Sequence, residues 1–288
     1  MSVNEKLQKV LATAGFDSRR AIERAIVAGQ VMLNGELATL GVRVAPGDRI
    51  VYLGRSFKVP ETQREETRVL LYNKPEGEIC SKQDPDGRST VYERLPVLPS
   101  GRWISVGRLD INTSGLLLFT NNGELANKLM HPSSNIDREY LVRVHGTVTE
   151  GIRKILTDGV LLEDGVAKFT DVQESKNNEH AQGTNRWFYC TVMEGRNREV
   201  RRLWESQDLK VSRLKRVRYG NIFIPSYVRN GQWIELNDKE IAELHKTAGL
   251  EVPEKRRFVP KTAQAKERNV RKLKGGGRKS NKNPRYGR

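Results

Sequence analysis

The most constraining feature of the sequence is a pair of apolar runs that enclose a short polar segment. The runs Trp103–Val106 and Leu116–Thr120 have the length and composition of buried strands, and Val69–Tyr72 is a third run of this kind. Residues 107–115 are rich in turn-forming residues and carry a single acidic side chain, that of Asp110. The sequence therefore predicts a strand-rich domain in which Asp110 lies in a loop between two buried strands.

An aspartate in such a loop has two interpretations. It can bond to neighbouring backbone amides and stabilise a turn, or it can be a partly desolvated functional carboxylate that needs a cationic partner. Cations are available in the segment from Arg186 to Arg218, which holds 10 basic and 4 acidic residues. That segment is either a solvated, mildly basic face or one wall of a phosphate-binding cleft.

Residues 3–52 show the pattern of a small α+β module. Apolar residues at helical spacing within residues 4–14 predict a first helix, and Asp17 or Ser18 can cap a second one. The Asn34–Gly35 dipeptide lies between two short apolar runs, which predicts a β-hairpin.

Beyond this module the chain divides into three parts by composition. Residues 53–66 are polar and predict a linker, and residues 67–250 carry the strand-forming runs of a second domain. Residues 251–288 hold 14 Lys and Arg against 3 Asp and Glu, which is most of the net charge of +16. Because this tail has almost no large apolar residues, we predict that it is disordered. It either aids solubility or tethers the protein to RNA phosphates.

Composition excludes several classes of protein and of site. No apolar run reaches the roughly 18 residues of a membrane span, and the N-terminus has no apolar signal core, so we expect a cytoplasmic protein with no membrane partner. Cys80 and Cys190 are far apart and the four histidines are scattered, which argues against a disulfide scaffold and against a metal site. The excess of positive charge indicates a polyanionic partner, most simply nucleic acid.

Two resemblances cover residues 3–236. The N-terminal module resembles the S-four RNA-binding domain in its Ser18–Arg20 motif and its Val31–Gly35 hairpin. Four motifs of the larger domain resemble, in chain order, those of the RNA pseudouridine synthases: Lys74-Pro75-Glu76-Gly77, Gly107-Arg108-Leu109-Asp110-x-x-Thr113-Ser114-Gly115, Arg138-Glu139-Tyr140, and Glu194-Gly195-Arg196-Asn197-Arg198-Glu199-Val200-Arg201-Arg202.

The resemblance implies an α+β protein: an S-four-type module, then a catalytic domain built on a mainly antiparallel mixed β-sheet flanked by helices and loops. It also implies isomerisation of a uridine in ribosomal RNA, with 23S rRNA expected, without a cofactor or a metal. Such a protein would act as a monomer on free rRNA or on assembling large-subunit particles. Two alternatives remain open: a non-catalytic rRNA-binding assembly factor, and a sibling synthase that acts on another rRNA uridine.

The resemblance also implies roles for individual residues. Asp110 is the catalytic carboxylate, which attacks the anomeric carbon or abstracts the neighbouring ribose proton, and Arg201 is the guanidinium that keeps it ionised. Tyr140 stacks on the uracil unless it is an ordinary core tyrosine, Leu214 closes the pocket, and Arg108 contacts the flipped nucleotide or its phosphate. Further RNA contacts are implied for Lys6, Arg19, Arg20, Arg24, Lys74, Arg196, Arg198 and Arg202.

Overall fold

A computed structural model of the chain describes residues 4–61, 66–82, 84–176, 178 and 185–253. Residues 62–65 of the predicted linker and residues 254–288 of the predicted basic tail lie outside the described residues. The predicted disorder of the tail therefore stays a prediction.

The N-terminal module begins with two helices that pack on a small sheet. Side chains at helical spacing on the first helix, Leu7, Val10 and Leu11, are buried in the core of the module. The Ser18 side chain accepts a hydrogen bond from the backbone N–H of Ala21 at 3.1 Å, so Ser18 is the residue that caps the second helix. The elements are β1 (Glu5–Lys6), α1 (Leu7–Thr13), α2 (Arg19–Val27), β2 (Val31–Leu33), β3 (Glu36–Leu37), β4 (Arg43–Val44), β5 (Arg49–Tyr52) and β6 (Arg55–Lys58).

The sheet of this module has the strand order β3-β2-β5-β6. Asn34 and Gly35 both have positive φ, as the predicted tight hairpin between β2 and β3 requires. The sheet extends beyond the predicted end of the module at residue 52, because a second tight turn at Leu53–Gly54 pairs β6 with β5. Phe57 of β6 packs edge-on against Phe16, so the start of the predicted linker is part of the module.

The larger part of the chain is built on a nine-stranded sheet. Its main strand order is β13-β14-β10-β15-β9-β7-β17, with β16 paired to β15 and β8 to β9. Within the described residues the pairing of β9 with β15 is parallel, and the other pairings of this sheet are antiparallel. The strands that follow the module are β7 (Val69–Lys74), β8 (Ile104–Ser105), β9 (Ser114–Thr120), β10 (Arg138–His145), β11 (Val160–Leu162), β12 (Gly165–Ala167), β13 (Asp171–Glu174), β14 (Asn185–Val192), β15 (Lys210–Tyr219), β16 (Ile222–Phe223) and β17 (Trp233–Glu235).

Both faces of the central strands are covered, as the continuous apolar runs predict. Leu70 and Tyr72 belong to one apolar cluster, whereas Val69 and Leu71 belong to a second cluster on the opposite face. Helices contribute to both clusters, and β11 and β12 form a separate hairpin. The helices are α3 (Gly123–Met130), α4 (Glu150–Asp158), α5 (Glu199–Glu205) and α6 (Asp238–Thr247), with a 3-10 turn at Pro132–Ser134. The predicted α+β class with a mainly antiparallel mixed sheet is confirmed.

The N-terminal module packs directly on the larger domain. Gly15 has a φ of +87°, and a Cβ atom added there would lie 2.4 Å from the carbonyl oxygen of Gly101. Only a glycine permits this approach of the two backbones. The contact brings the start of α2 close to the edge of the large sheet at which Asp110 lies.

Candidate active site

Asp110 lies in the loop between β8 and β9, and the backbone of this loop is held by side chains from elsewhere. The Lys74 Nζ donates to the carbonyl oxygens of Asp110 at 3.1 Å and Thr113 at 2.9 Å. The Cys80 Sγ lies 3.3 Å from the carbonyl oxygen of Leu109 and 3.4 Å from its backbone nitrogen. These contacts fix the backbone on either side of the carboxylate.

The two remaining carbonyls of the loop are also bonded. The backbone N–H of Gly77 donates to the Ile111 oxygen at 2.8 Å, and an Arg201 Nη donates to the Asn112 oxygen at 2.9 Å. Five successive carbonyls, from residue 109 to residue 113, therefore accept hydrogen bonds. In contrast, no hydrogen bond or ion pair engages the half-buried Asp110 carboxylate among the residues that the structure describes.

The structure gives no support to the predicted RNA contact by Lys74. Its side chain is fully buried at the end of β7, and its third Nζ hydrogen bond goes to the Pro75 carbonyl at 3.0 Å. Burial lowers the pKa of this lysine. A buried ammonium group that donates to three carbonyls supports the Asp110 loop and has no surface to offer to RNA.

Arg201, the guanidinium predicted to keep Asp110 ionised, forms no direct ion pair with it among the described residues. One terminal nitrogen of Arg201 donates to Asn112, and the other donates to the Val211 carbonyl at 3.0 Å. Burial, and next the charge of Arg198, lower the pKa of the Arg201 guanidinium, while the charge of Asp110 opposes this. Arg201 therefore holds the loop and places a positive charge near the carboxylate without a direct bond to it.

A cavity of about 1090 Å³ opens above this loop and brings most of the predicted site residues together. Its volume is close to the upper end of the roughly 300–1,000 Å³ that ligand pockets typically span. Arg20 of the N-terminal module reaches this cavity, so both parts of the chain contribute to its wall. The predicted residues that line it are Arg20, Arg108, Asp110, Tyr140, Arg196, Arg198 and Leu214.

Tyr140 and Leu214 reach the cavity from two neighbouring strands. In the antiparallel pairing of β10 with β15, Tyr140 lies opposite Arg216, and Val142 lies opposite Leu214. Tyr140 is 9% exposed and Leu214 is 4% exposed. An aromatic ring and an aliphatic side chain therefore line the same cavity as Asp110, which is a suitable surface for a planar base.

The other predicted RNA contacts are dispersed. Arg19 lines a smaller groove of about 200 Å³ together with Asn122 and Glu124, whereas Lys6 and Arg24 are exposed on the N-terminal module away from both cavities. These positions are compatible with contact to RNA backbone and do not test it.

Arg202, a predicted RNA contact, does not line the cavity. Both of its terminal nitrogens donate to the carboxylate of Asp164, at 2.8 and 2.9 Å. Asp164 lies in the turn between β11 and β12, so this bidentate ion pair fastens that hairpin to α5. Arg196 bonds to the same hairpin through the Val166 carbonyl of β12 at 2.9 Å, but it also reaches the cavity.

Sequence reasoning assigned no role to two buried arginines of the cavity wall, Arg138 and Arg216. Arg138 donates to the Ile136 carbonyl at 2.9 Å and to the Met193 carbonyl. Arg216 is 3% exposed, and its Nε donates to the Leu116 carbonyl at 2.8 Å. The alternation of basic and apolar residues along β15 carried a signal for Arg216, because a period of two sets it on the same face as Leu214.

Neither a metal site nor a membrane span is found in the described part of the chain. No cluster of three or more His, Cys, Asp or Glu side chains could hold an ion there. In the same residues, no helix has both the length and the apolar composition needed to cross a membrane.

Comparison with known proteins assigns both parts of the chain to families. Residues 68–206 match the model described as RNA pseudouridylate synthase, and residues 5–50 match the S4 domain. A solved structure described as pseudouridylate synthase is 26% identical, with a TM-score of 0.57 over 83% of this chain and 99% of that one.

Curated relatives are much closer in sequence. The ribosomal large subunit pseudouridine synthase B of Pseudomonas aeruginosa is 53% identical over 94% of this chain and 69% of its own length. The protein of the same name from Vibrio cholerae is 51% identical over 94% of this chain and 84% of its own length. The one from Haemophilus influenzae is 49% identical over 98% and 78%. With a cavity built around Asp110, an S4 domain and relatives of this similarity, the chain belongs to the RNA pseudouridine synthase family.

Proposed function

We propose that this chain converts one uridine of 23S rRNA to pseudouridine, with position 2605 as the expected site and Asp110 as the catalytic carboxylate. The observation that carries the proposal is the state of Asp110: its backbone is held on both sides, while its carboxylate faces a cavity without a partner among the described residues. The names of the curated relatives support the large-subunit RNA as substrate.

The reaction needs a carboxylate near the ribose and needs no redox or group-donating cofactor. Uridine isomerisation breaks the bond between ribose C1′ and uracil N1, turns the base, and joins C1′ to C5. Asp110 acts either by attack on C1′ or by removal of the neighbouring ribose proton. A carboxylate free of internal hydrogen bonds suits both roles, because its oxygens are available to the substrate.

Four side chains around Asp110 receive supporting roles. Tyr140 stacks on the uracil while the base is detached, and Leu214 closes the apolar side of the cavity. Arg108 contacts the flipped nucleotide or its phosphate. Arg201 acts by positioning the Asp110 loop through Asn112. The target uridine has to leave its stack to reach these groups, which is easiest in loops and at helix ends of RNA.

The decisive experiment replaces Asp110 by Asn. Asp110→Asn should bind a 23S rRNA fragment as tightly as the wild-type protein, while tritium release from RNA labelled at uridine C5 falls to background. Asp171→Asn makes the same change at an exposed position on the edge strand β13 and should keep full activity. If Asp110→Asn still released tritium, Asp110 would not be the catalytic carboxylate.

Two alternatives differ in what a pseudouridine map would show. A non-catalytic assembly factor predicts an unchanged map of ribosomal RNA in a strain that lacks this chain. A sibling synthase predicts the loss of one pseudouridine at a different rRNA position. Loss of the modification at position 2605 alone would support the proposal.

We also propose a cytoplasmic monomer that acts on free rRNA or on an assembling large-subunit particle. In this proposal the S-four module spans residues 3–52, with β6 (Arg55–Lys58) added to its sheet, and the catalytic domain spans residues 67–250. The basic tail of residues 251–288 adds affinity without chemistry. Deletion of residues 251–288 should weaken RNA binding and flatten its salt dependence, because fewer counterions are released. Turnover at saturating RNA should remain. A truncated protein that is inactive at every RNA concentration would contradict this division of the charge.

A further inference from the structure

Arg216 is a buried cation whose hydrogen-bonding capacity is largely unused. Among the described residues, its guanidinium makes one hydrogen bond, from Nε to Leu116, and Nη2 is buried without a partner. No carboxylate lies within 4 Å of it among those residues. A buried guanidinium without an anion destabilises the folded protein, because no favourable interaction offsets the desolvation of its charge. The side chain lines the cavity, so a group that enters the cavity comes close to this guanidinium.

The orientation of this guanidinium is fixed by an aromatic ring. Arg216 stacks on Tyr219 with 5.2 Å between its Cζ atom and the ring centroid, and Arg138 stacks on the same ring at 5.2 Å. The Tyr219 hydroxyl donates to the Leu129 carbonyl at 2.6 Å, which holds the ring in place. Hydrogen-bond donors that are held rigidly in a dry site are those that stabilise developing charge most effectively.

The surroundings of Arg216 favour a nucleobase over a phosphate. Arg216 lies opposite Tyr140 in the pairing of β10 with β15 and two residues from Leu214, which are the two side chains suited to hold the base. It is also buried, at 3% exposure, whereas Arg20, Arg108 and Arg198 are exposed and better suited to phosphates. A uracil between Tyr140 and Leu214 would present a carbonyl edge toward this strand.

The reaction itself creates an anion at this place. When the C1′–N1 bond breaks, its electron pair goes to N1, and the negative charge spreads to the O2 and O4 carbonyls. When C1′ later bonds to C5, the C5 proton is released to solvent and N1 takes up a proton. The detached uracil carries this charge whether Asp110 attacks C1′ or removes a ribose proton.

We infer that Arg216 is a second catalytic residue, which donates hydrogen bonds to a uracil carbonyl and stabilises the detached uracil anion. The inference rests on the proposed function, because it requires that the C1′–N1 bond of a uridine breaks in this cavity. It gives Arg216 a role that does not depend on how Asp110 acts.

The test measures single-turnover rates with enzyme in excess, on the ribosomal RNA fragment that the wild-type protein modifies. Arg216→Gln should lower the rate by about 10²-fold, as expected for the loss of one donor to a developing anion, and should leave RNA affinity and its salt dependence unchanged. Arg213→Gln removes the same charge from an exposed position of β15 and should match the wild-type rate. If Arg216→Gln retains the wild-type rate, the inference is overturned. If this variant loses only RNA affinity and salt dependence, the inference is also overturned, and a phosphate contact is indicated instead.

Arg216→Lys decides the matter if Arg216→Gln does not fold. Relative to the wild-type protein, this variant should lose less rate on RNA that carries 5-fluorouridine at the target than on RNA that carries uridine there. The reason is that the fluorine stabilises the same uracil anion. Consumption of the target nucleotide is followed by digestion and chromatography. Equal losses on both RNAs, or no loss on either, would overturn the inference. Failure of the proposed function would appear separately, as a wild-type protein that modifies no uridine in 23S rRNA.

Discussion

Two parts of the cavity differ in how their buried polar groups are bonded. One is the loop that carries Asp110, and the other is the wall formed by strand β15, which contributes Arg216. In the loop, each carbonyl from residue 109 to residue 113 accepts a hydrogen bond from within the protein. In the wall, Arg216 is buried with a terminal nitrogen that has no partner among the described residues. The carbonyls of the loop are therefore all bonded without a ligand, although the Thr113 hydroxyl beside them has no partner among the described residues, and the Arg216 guanidinium is only partly bonded.

The contrast is sharpest between two cations on either side of one glycine. In the sheet, Gly115 of β9 is aligned with Lys74 of β7 and with Arg216 of β15. Both side chains are almost fully buried, but Lys74 donates to three carbonyls and Arg216 to one. Burial alone therefore does not show whether a cation is fully bonded within the protein.

Removal of the Lys74 ammonium group should have the largest effect on stability. Lys74→Met leaves three buried carbonyls with one donor fewer, so we expect the free energy of unfolding to fall by about 2–4 kcal/mol. The single-turnover rate should fall even at saturating RNA, because the Asp110 loop loses its support. Urea denaturation and tritium release measure the two effects. Lys154→Met, at an exposed position of α4, is the matched control and should change neither. A Lys74→Met protein of normal stability and weakened RNA binding would restore the predicted RNA contact.

The sequence could not reveal the burial of Lys74. The Lys74–Gly77 motif shows a cation before a turn, which usually faces solvent. Its actual surroundings depend on a carbonyl 36 residues further along the chain. The Asp110 loop was correctly predicted to lie between two buried strands, because that pattern is local, but what packs beneath the loop is a property of the whole sheet.

Substitution of the glycine between the two cations should have an intermediate effect. Gly115 has a φ of +102°, and an added Cβ would lie 2.1 Å from the Arg216 carbonyl oxygen. Gly115→Ala combines an unfavourable backbone conformation with a forced separation of β9 from β15, which costs about 2–3 kcal/mol in total. The rate should also fall, because the separation moves Arg216 relative to Asp110. In α4, Gly151 has no neighbour closer than 3.8 Å, so Gly151→Ala should keep or slightly raise stability, as measured by thermal and urea unfolding. Equal stability of the two variants would show that β9 and β15 can separate at Gly115 without lowering the free energy of unfolding.

The wall was predicted in part, and its limits are also physical. The S-four helices, the hairpin and the buried strands followed from local periodicity. The family resemblance predicted that Tyr140 and Leu214 lie in one pocket with Asp110, and all three line the same cavity. The hydrogen bonds of Arg201 were not predicted, because a guanidinium near a carboxylate in a motif can bond to nearby backbone carbonyls instead. Which of these partners an arginine takes depends on distances that neither spacing nor composition contains.

The smallest effect is expected for substitution of Arg202. This variant tests whether an arginine that is already paired with a carboxylate in the free protein also binds RNA. Arg202→Gln breaks the bidentate ion pair with Asp164 on a partly exposed surface, so the free energy of unfolding should change by no more than about 1 kcal/mol. RNA affinity and its salt dependence should stay at the wild-type values. Arg198→Gln, at the more exposed position that lines the cavity, should weaken binding and reduce the salt slope by about one. Fluorescence anisotropy at several salt concentrations separates the two variants. If Arg202→Gln weakens binding as much as Arg198→Gln, the pair with Asp164 opens when RNA binds. Internal hydrogen bonds in the free protein would then be a poor guide to which cations meet the substrate.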